Sequence, residues 1–183
     1  MELTTAIDIN KELIDQCKLG SQSAYSQIYQ NCARGVFGSI IRIVENREEA
    51  EDLLQETFVS AFQNIQNFRG DASLFGWIKK IGVNKSLNAV KKRQIPISET
   101  DIAELDIYTE ETNWDDVTIQ ASEVAKKIQL LPDGFRIVIS LFLFEGYSHK
   151  EIASELGISE STSKTQYIRG KKKLRELLTH TNQ

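Results

Sequence analysis

Apolar residues recur every three or four positions along most of this 183-residue chain, which is the period of helices that bury one face. In the N-terminal half the pattern predicts a short helix from Asn10 to Lys18, stopped by Gly20, and a long helix capped by Ser21. The buried face of the long helix is predicted to contain Ala24, Ile28, Cys32, Val36, Ile40 and Ile43.

Two more helices are predicted in this half. The third starts at Asn46 and Glu49, which form a box-like cap, and should bury Ala50, Leu53, Leu54, Thr57, Phe58, Ala61 and Ile65. A loop from Gln66 to Ser73 follows, with Gly70 as a flexible point and Ser73 as the cap of the fourth helix. That helix should bury Leu74, Trp77, Ile78 and Ile81, so the spacing assigns Trp77 to the core.

The helical period lapses between Ile95 and Thr118, where Glu, Asp and Thr dominate. We expect this segment to be mostly extended or disordered, with a turn of helix around Trp114. A helix from Ala121 to Leu131 follows and is ended by Pro132. The next, from Asp133 to Phe144, is very apolar and should bury Val138, Leu141, Phe142 and Leu143.

The last stretch of the chain has the pattern of a helix-turn-helix. Ser148 and Glu151 form a capping box, and Ile152, Ala153 and Leu156 follow at helical spacing. Gly157 suits the left-handed residue that ends a helix, Ile158 is an apolar residue in the turn, and Ser159 caps a second helix that runs to Leu178. In such a motif the second helix enters the DNA major groove, although an ordinary helical hairpin has the same pattern.

The fold class predicted from these elements is all-α. Two small helical domains, residues 1–94 and 121–183, are joined by a flexible acidic linker at 95–120. Only ten glycines and two prolines occur in the chain, which favours long helices over many turns.

Charge is segregated along the chain although the net charge is only −4. Between Pro96 and Glu123 there are nine acidic residues and no Lys or Arg, whereas Leu74 to Gln94 contains six bases and no acid. The last predicted helix has two acids and six bases, namely Lys164, Arg169, Lys171, Lys172, Lys173 and Arg175. Two basic modules around an acidic linker suggest phosphate partners, although cations at a helix end also occur as a solvated face.

Other classes of function find little support in the composition. No stretch approaches the roughly twenty apolar residues of a membrane span, and the first residues lack the order of a signal peptide, so we expect a cytoplasmic protein without membrane insertion. Cys17 and Cys32 lack metal-ligand spacing and are expected to be small buried residues. We expect no metal, no cofactor and no catalytic residue, because His149 and His180 are the only histidines and no phosphate-binding glycine motif is present.

Two polar faces in the N-terminal half are candidate interaction surfaces. Asp52, Gln55, Glu56 and Val59 share one side of the third helix, which by periodicity alone indicates a solvated acidic face. On the fourth helix a polar and basic stripe follows steps of four, four and three through Lys80, Asn84, Asn88 and Lys91. Amides can read base edges and ammonium groups can hold phosphates, although a merely solvated face would have the same pattern.

Three segments resemble the sigma-70 family, the promoter-specificity subunits of bacterial RNA polymerase. The segment AEDLLQETFVSAF resembles the helix that docks on the clamp helices of the largest polymerase subunit. The segment NFRGDASLFGWIKKIGVNKSLNAVKKR resembles the promoter-melting segment of the extracytoplasmic-function (ECF) branch. From LLPDGF to GKKKL the chain resembles the domain of that family that binds the minus-thirty-five element.

The resemblance implies a role for particular residues. Polymerase docking falls on Asp52, Gln55 and Glu56. Contact with the minus-ten element, held as melted DNA with one flipped base, falls on Phe68, Arg69, Gly70, Asp71, Ala72, Ser73, Lys80, Asn84, Asn88 and Lys91. Contact with the minus-thirty-five element falls on Ser161, Thr162, Lys164, Thr165, Ile168 and Arg169.

The implied partners are the polymerase core, through the clamp helices of the largest subunit and the flap of the second-largest, promoter DNA, and an anti-sigma factor. Three positions depart from the family pattern, with Ser163 in place of an apolar residue, Gln166 in place of Arg, and Gly170 in place of Ala. Because glycine costs about 1 kcal/mol in a helix relative to alanine, Gly170 predicts a softer recognition helix.

Two other functions compete with that of a sigma factor. A stand-alone transcriptional regulator would use the helix-turn-helix for operator binding and the N-terminal bundle for dimerisation, but it needs no melting segment such as FRGDASLFGWIKKIGVN. A helical nucleic-acid enzyme would need the catalytic groups that the chain lacks.

Overall fold

The structure is a computed structural model that describes residues 11–93 and 121–179, with residues 121 and 122 described by their backbone alone. Every regular element in these ranges is helical, which confirms the predicted all-α class. The chain divides into two compact units, Met1–Arg93 and Gln94–Gln183. The acidic linker at 95–120, the turn expected around Trp114, the expected start of the first helix at Asn10, and His180 all lie outside the described residues.

The first unit is a bundle built on three long helices. Its elements are α1 (Lys11–Lys18), α2 (Gln22–Val44), α3 (Arg47–Gln63), a 3-10 turn (Ile65–Asn67) and α4 (Leu74–Lys92). Helices α2, α3 and α4 pack against one another, and α1 packs against α2 and the 3-10 turn.

The predicted caps of this unit and the predicted buried face of α2 are confirmed. Ser21, Asn46 and Ser73 each accept a backbone hydrogen bond at the start of α2, α3 and α4. The six residues predicted on the buried face of α2 are inaccessible to solvent. Cys17 and Cys32 are also buried, and burial raises the pKa of both thiols to about 11, so they stay neutral and pack as small apolar groups.

Three positions in this unit differ from the expectation. Ile65 is buried in the 3-10 turn rather than in α3, because α3 already ends at Gln63. Trp77 and Ile81 are half-buried rather than enclosed. Trp77 lies at the rim of the bundle, where its ring contacts the ring of Phe68 at 5.4 Å between centroids.

The second unit consists of α5 (Ala121–Ile128), α6 (Asp133–Leu143), α7 (His149–Leu156) and α8 (Glu160–Thr179). Helices α5, α6 and α7 all pack against α8, and one core cluster contains Ile128, Leu131, Ile139, Leu174 and Leu178. The prediction for the end of α6 was wrong in part, since Leu143 is 48% exposed and Phe142 half-buried. Helix α6 ends at Leu143 and the chain then turns through Gly146 at φ +73°, so the last turn of α6 lies at the edge of the core.

Gly170 allows α6 and α8 to approach closely. A Cβ atom at this position would lie 2.7 Å from Ile139 Cδ1 and 3.0 Å from Phe135 Cβ, closer than side chains pack. The expectation of a softer helix is therefore incomplete, because the missing side chain is what permits this packing.

A buried cation in the second unit was missed by the sequence analysis. The guanidinium of Arg136 donates to the Leu131 carbonyl at 3.1 Å and pairs with Asp133. It is almost fully buried, so these partners compensate part of the cost of removing its charge from water. Within the described residues, none of the helices has the length and apolar content needed to cross a bilayer.

Candidate functional site

The acidic face of α3 is presented to solvent as predicted. Asp52, Gln55, Glu56 and Val59 are all exposed, whereas the neighbouring Leu53, Leu54, Thr57 and Phe58 are buried. These four exposed residues, together with Ser60 and Lys85, line a concave site of about 520 Å³, called here the α3 site. Lys85 comes from α4, and its ammonium lies 3.1 Å from the Glu56 carboxylate, so the α3 site contains a cation that sequence reasoning missed.

The stripe on α4 is also exposed along its whole length. Lys80, Asn84, Asn88 and Lys91 face solvent, and the positions between them supply the buried residues Gly82, Val83, Ser86, Leu87 and Val90. The two amides are therefore flanked by an ammonium group at each end of one continuous helix face.

The loop before α4 is exposed from Arg69 to Ser73. Gly70 has φ +83°, a left-handed geometry that glycine adopts without strain. The Ser73 hydroxyl accepts a hydrogen bond from the Gly76 N–H at 3.1 Å, so Ser73 is engaged as the cap of α4. Arg69, Asp71 and Ala72 are exposed as well, and no cap bond engages them at this turn.

Phe68, to which the family resemblance assigns contact with melted DNA, does not lie on the surface. Its side chain is only 7% exposed and packs on Trp77. Burying this apolar ring against α4 lowers the free energy relative to exposing it to water. The Phe68 ring therefore packs inside the bundle immediately before the loop.

The helix-turn-helix has the geometry that its sequence predicts. Ser148 and Glu151 form the complete capping box, with each side chain bonded to the backbone N–H of the other residue. Gly157 ends α7 at φ +68°, and the Ser159 hydroxyl accepts the Thr162 N–H at 3.0 Å.

The predicted recognition residues of α8 divide into exposed and buried ones. Ser161, Lys164 and Ile168 are exposed, and Thr165 and Arg169 are half-buried at the edge of the same face. Lys164 pairs with Glu160 at 2.7 Å, and this interaction lowers the pKa of the Glu160 carboxyl. Thr162, by contrast, is only 4% exposed, and its hydroxyl lies 2.7 Å from the Ser159 hydroxyl inside the turn.

Two of the departures from the family pattern, Ser163 and Gln166, lie on the inner side of α8, where both are buried. Ser163 Oγ lies 3.0 Å from Nδ1 of His149, whose ring stacks on Phe142 at 4.5 Å between centroids. The polar Ser163 thus has a partner on α7. Burial lowers the pKa of His149, Lys164 lowers it further, and Glu160 opposes the shift.

No group of three or more His, Cys, Asp or Glu side chains suited to a metal ion occurs in the described ranges. The exposed faces of α3, α4 and α8 present charged and amide groups to solvent.

Comparison with known proteins gives a consistent result. Residues 28–95 match the family described as Sigma-70 region 2, and residues 122–174 match Sigma-70, region 4. The RNA polymerase sigma-H factor of Pseudomonas aeruginosa is 25% identical over 181 residues, covering 92% of this chain and 93% of the relative. The ECF RNA polymerase sigma factor SigW of Bacillus subtilis is 28% identical over 179 residues, covering 92% and 96%.

Among solved structures, the sigma factor RpoE of Bartonella quintana, in complex with the anti-sigma factor NepR, aligns with a TM-score of 0.49 at 21% identity, over 85% of this chain and 96% of that one.

The chain belongs to the sigma-70 family of transcription initiation factors, because two regions of that family occur in order and fall in the two compact units. Within the family it is an ECF sigma factor, and relatives such as SigW, which matches 92% of this chain, are described as ECF factors. Such factors are not enzymes, and this chain is accordingly a non-enzymatic factor for promoter-specific initiation.

Proposed function

We propose that this chain binds the core RNA polymerase in the cytoplasm and directs it to promoters, reading the minus-ten element as melted DNA and the minus-thirty-five element as duplex. Residues 1–94 would bind the polymerase and the minus-ten element, residues 121–183 would bind the minus-thirty-five element, and residues 95–120 would connect them.

The observation that carries this proposal is the exposed face of α4. Asn84 and Asn88 both face solvent between Lys80 and Lys91, beside the exposed loop from Arg69 to Ser73. Amide groups donate to and accept from the edges of unpaired bases, while ammonium groups hold the phosphates between them. Unpairing and flipping a base costs a few kcal/mol, which contacts of this kind can offset.

The α3 site would dock on the clamp helices of the largest polymerase subunit. Asp52, Gln55 and Glu56 offer carboxylate and amide acceptors that suit a basic partner surface, with Val59 as an apolar contact among them. The flap of the second-largest subunit as a partner of the second unit, and an anti-sigma factor, follow from the family resemblance alone.

The exposed face of α8 would enter the major groove at the minus-thirty-five element. Lys164, Thr165, Ile168 and Arg169 lie along this face, with Ser161 near a phosphate at the start of the helix. Ile168 is 46% exposed, so its side chain is available for an apolar contact such as a thymine methyl group.

The test is reconstitution with core polymerase. Purified chain is added to the core enzyme of its host on genomic DNA, and the starts of the transcripts are mapped against those of core enzyme alone. We expect new starts that share one upstream sequence pattern at two separated positions. Failure to bind the core, or binding without new starts, would refute the proposal.

A further inference from the structure

The end of α1 is bonded to the segment that leads into the exposed loop. A helix leaves its last four carbonyl groups without partners inside the helix. Three of these in α1 accept backbone N–H groups from the next few residues, with Leu19 donating to Asp15, Ser21 to Gln16 and Gly20 to Cys17, at 3.0, 3.1 and 3.0 Å. The fourth, the carbonyl of Lys18, accepts the side-chain amide of Gln66 at 2.6 Å.

The side chain of Lys18 makes a second hydrogen bond between α1 and this segment. Its ammonium donates to the carbonyl of Phe68 at 3.0 Å, so two hydrogen bonds connect α1 with residues 48 and 50 positions further along the chain. Phe68 is the residue immediately before the exposed loop from Arg69 to Ser73. The loop therefore starts from a residue that is held twice, through its ring by Trp77 of α4 and through its carbonyl by α1.

We propose that Lys18 and Gln66 are positioning residues for the minus-ten loop, and that α1 serves as the support against which this loop is ordered. The inference rests on the proposed function of the loop. A loop that contains a glycine at φ +83° loses less conformational freedom on binding when its first residue is already fixed. The side chain of Cys17 is fully buried and anchors α1 to the bundle, so the support is itself held in place.

The geometry separates this role from a direct contact with DNA. The Lys18 ammonium is bound to a protein carbonyl, and Gln66 has no charge that could attract phosphate. If positioning is what matters, removing either hydrogen bond should weaken binding to the same extent, and the salt dependence of binding should stay the same. If Lys18 holds a phosphate instead, only its own removal should change the salt dependence.

The experiment uses holoenzyme reconstituted with host core polymerase. The probe is a fluorescent single-stranded oligonucleotide with the nontemplate minus-ten sequence of a promoter selected from a random library by the wild-type holoenzyme. Affinity is measured over a series of salt concentrations for the wild type, Lys18→Met, Gln66→Leu and Lys18→Arg. The concentration of active protein in each sample is determined by titration with core polymerase. Gln66 is exposed, so Gln66→Leu keeps the fold even if Lys18→Met lowers stability.

We expect Lys18→Met and Gln66→Leu each to weaken binding about three- to tenfold, the net value of one hydrogen bond, with salt slopes parallel to the wild type. Lys18→Arg, which can still donate to the Phe68 carbonyl, should restore most of the affinity.

A salt slope reduced by about 0.7 in Lys18→Met alone, with Gln66→Leu at wild-type affinity, would replace positioning by a phosphate contact. Asn84→Ala distinguishes failure of the positioning role from failure of the proposed minus-ten site. Loss of affinity in Asn84→Ala with none in Lys18→Met or Gln66→Leu would refute the inference and leave the proposed function standing. No loss in any of the three would refute the proposed minus-ten site itself.

Discussion

The carboxylate of Glu56 on α3 lies 3.1 Å from the ammonium of Lys85 on α4. This ion pair joins the helix proposed to dock on polymerase to the helix proposed to hold melted DNA. Both side chains are partly exposed, so the pair contributes at most about 1 kcal/mol to stability. Its consequence is geometric, because it fixes a cation at the edge of an otherwise acidic site.

Charge reversal at Asp52 tests polymerase docking. Asp52→Lys should weaken binding to core polymerase by about tenfold or more, because an attraction to a basic partner becomes a repulsion. The measurement is fluorescence anisotropy of the labelled chain titrated with core enzyme. Glu12→Lys makes the same change of charge at an exposed position of α1 and should bind normally, with helical content unchanged in both variants. Equal affinities for the two variants would exclude Asp52 from the interface.

Truncation of an amide on α4 tests the contact with melted DNA. Asn84→Ala should lower the fraction of open complex about fivefold or more, because base-edge hydrogen bonds are lost while the helix itself gains from alanine. Permanganate reactivity of unpaired thymines measures the melted fraction. Asn31→Ala makes the same replacement at an exposed position of α2 and should melt the promoter normally. A matching loss in binding of minus-thirty-five duplex would argue against a specific role in melting.

Two glycine substitutions should have opposite effects on stability. In Gly170→Ala the new Cβ would meet Ile139 and Phe135, and overpacking costs about 1–3 kcal/mol, which over most of that range exceeds the gain in helix propensity of about 1 kcal/mol. In Gly38→Ala the nearest atom is Arg42 Nη1 at 3.4 Å, an ordinary contact, so propensity should dominate and stabilise α2. Hydrogen exchange should become faster in α6 and α8 for the first variant and slower in α2 for the second. Slower exchange in α8 of Gly170→Ala would contradict the close packing of the two helices.

The stability of the second unit should depend on pH through His149. Burial lowers the pKa of His149 in the folded chain below its usual value of about 6.5, with Lys164 adding to the shift and Glu160 opposing it. The unfolded chain therefore binds a proton more readily, so stability is fully present above about pH 6.5 and falls as pH drops below that value.

Urea unfolding followed by circular dichroism from pH 5 to 8 measures this dependence. His149→Gln should remove the loss of stability below pH 6.5, whereas His180→Gln, which changes the second of the two histidines, should retain it. An identical pH dependence in wild type and His149→Gln would mean that other groups cause it.

Most of the local architecture could be predicted from the sequence. The caps at Ser21, Asn46, Ser73 and Ser159, the capping box of α7 and the left-handed Gly157 involve partners within about four positions, and all were confirmed. The polar faces of α3 and α4 were also predicted correctly as exposed surfaces. The family itself followed from segments whose residues are adjacent in the chain.

What the sequence alone determined, then, is where the helices are capped and which sides of α3 and α4 are polar, because these properties depend on hydrogen bonds and periodicity within a few residues. Only the tertiary structure decided that Phe68 and Thr162 face inward, that Gly170 is a packing position, and that Lys85 completes the α3 site. It also decided that the Lys18 ammonium donates to the carbonyl of Phe68, 50 positions away. These outcomes depend on which side chains meet across helices, and no local pattern specifies such contacts between distant residues.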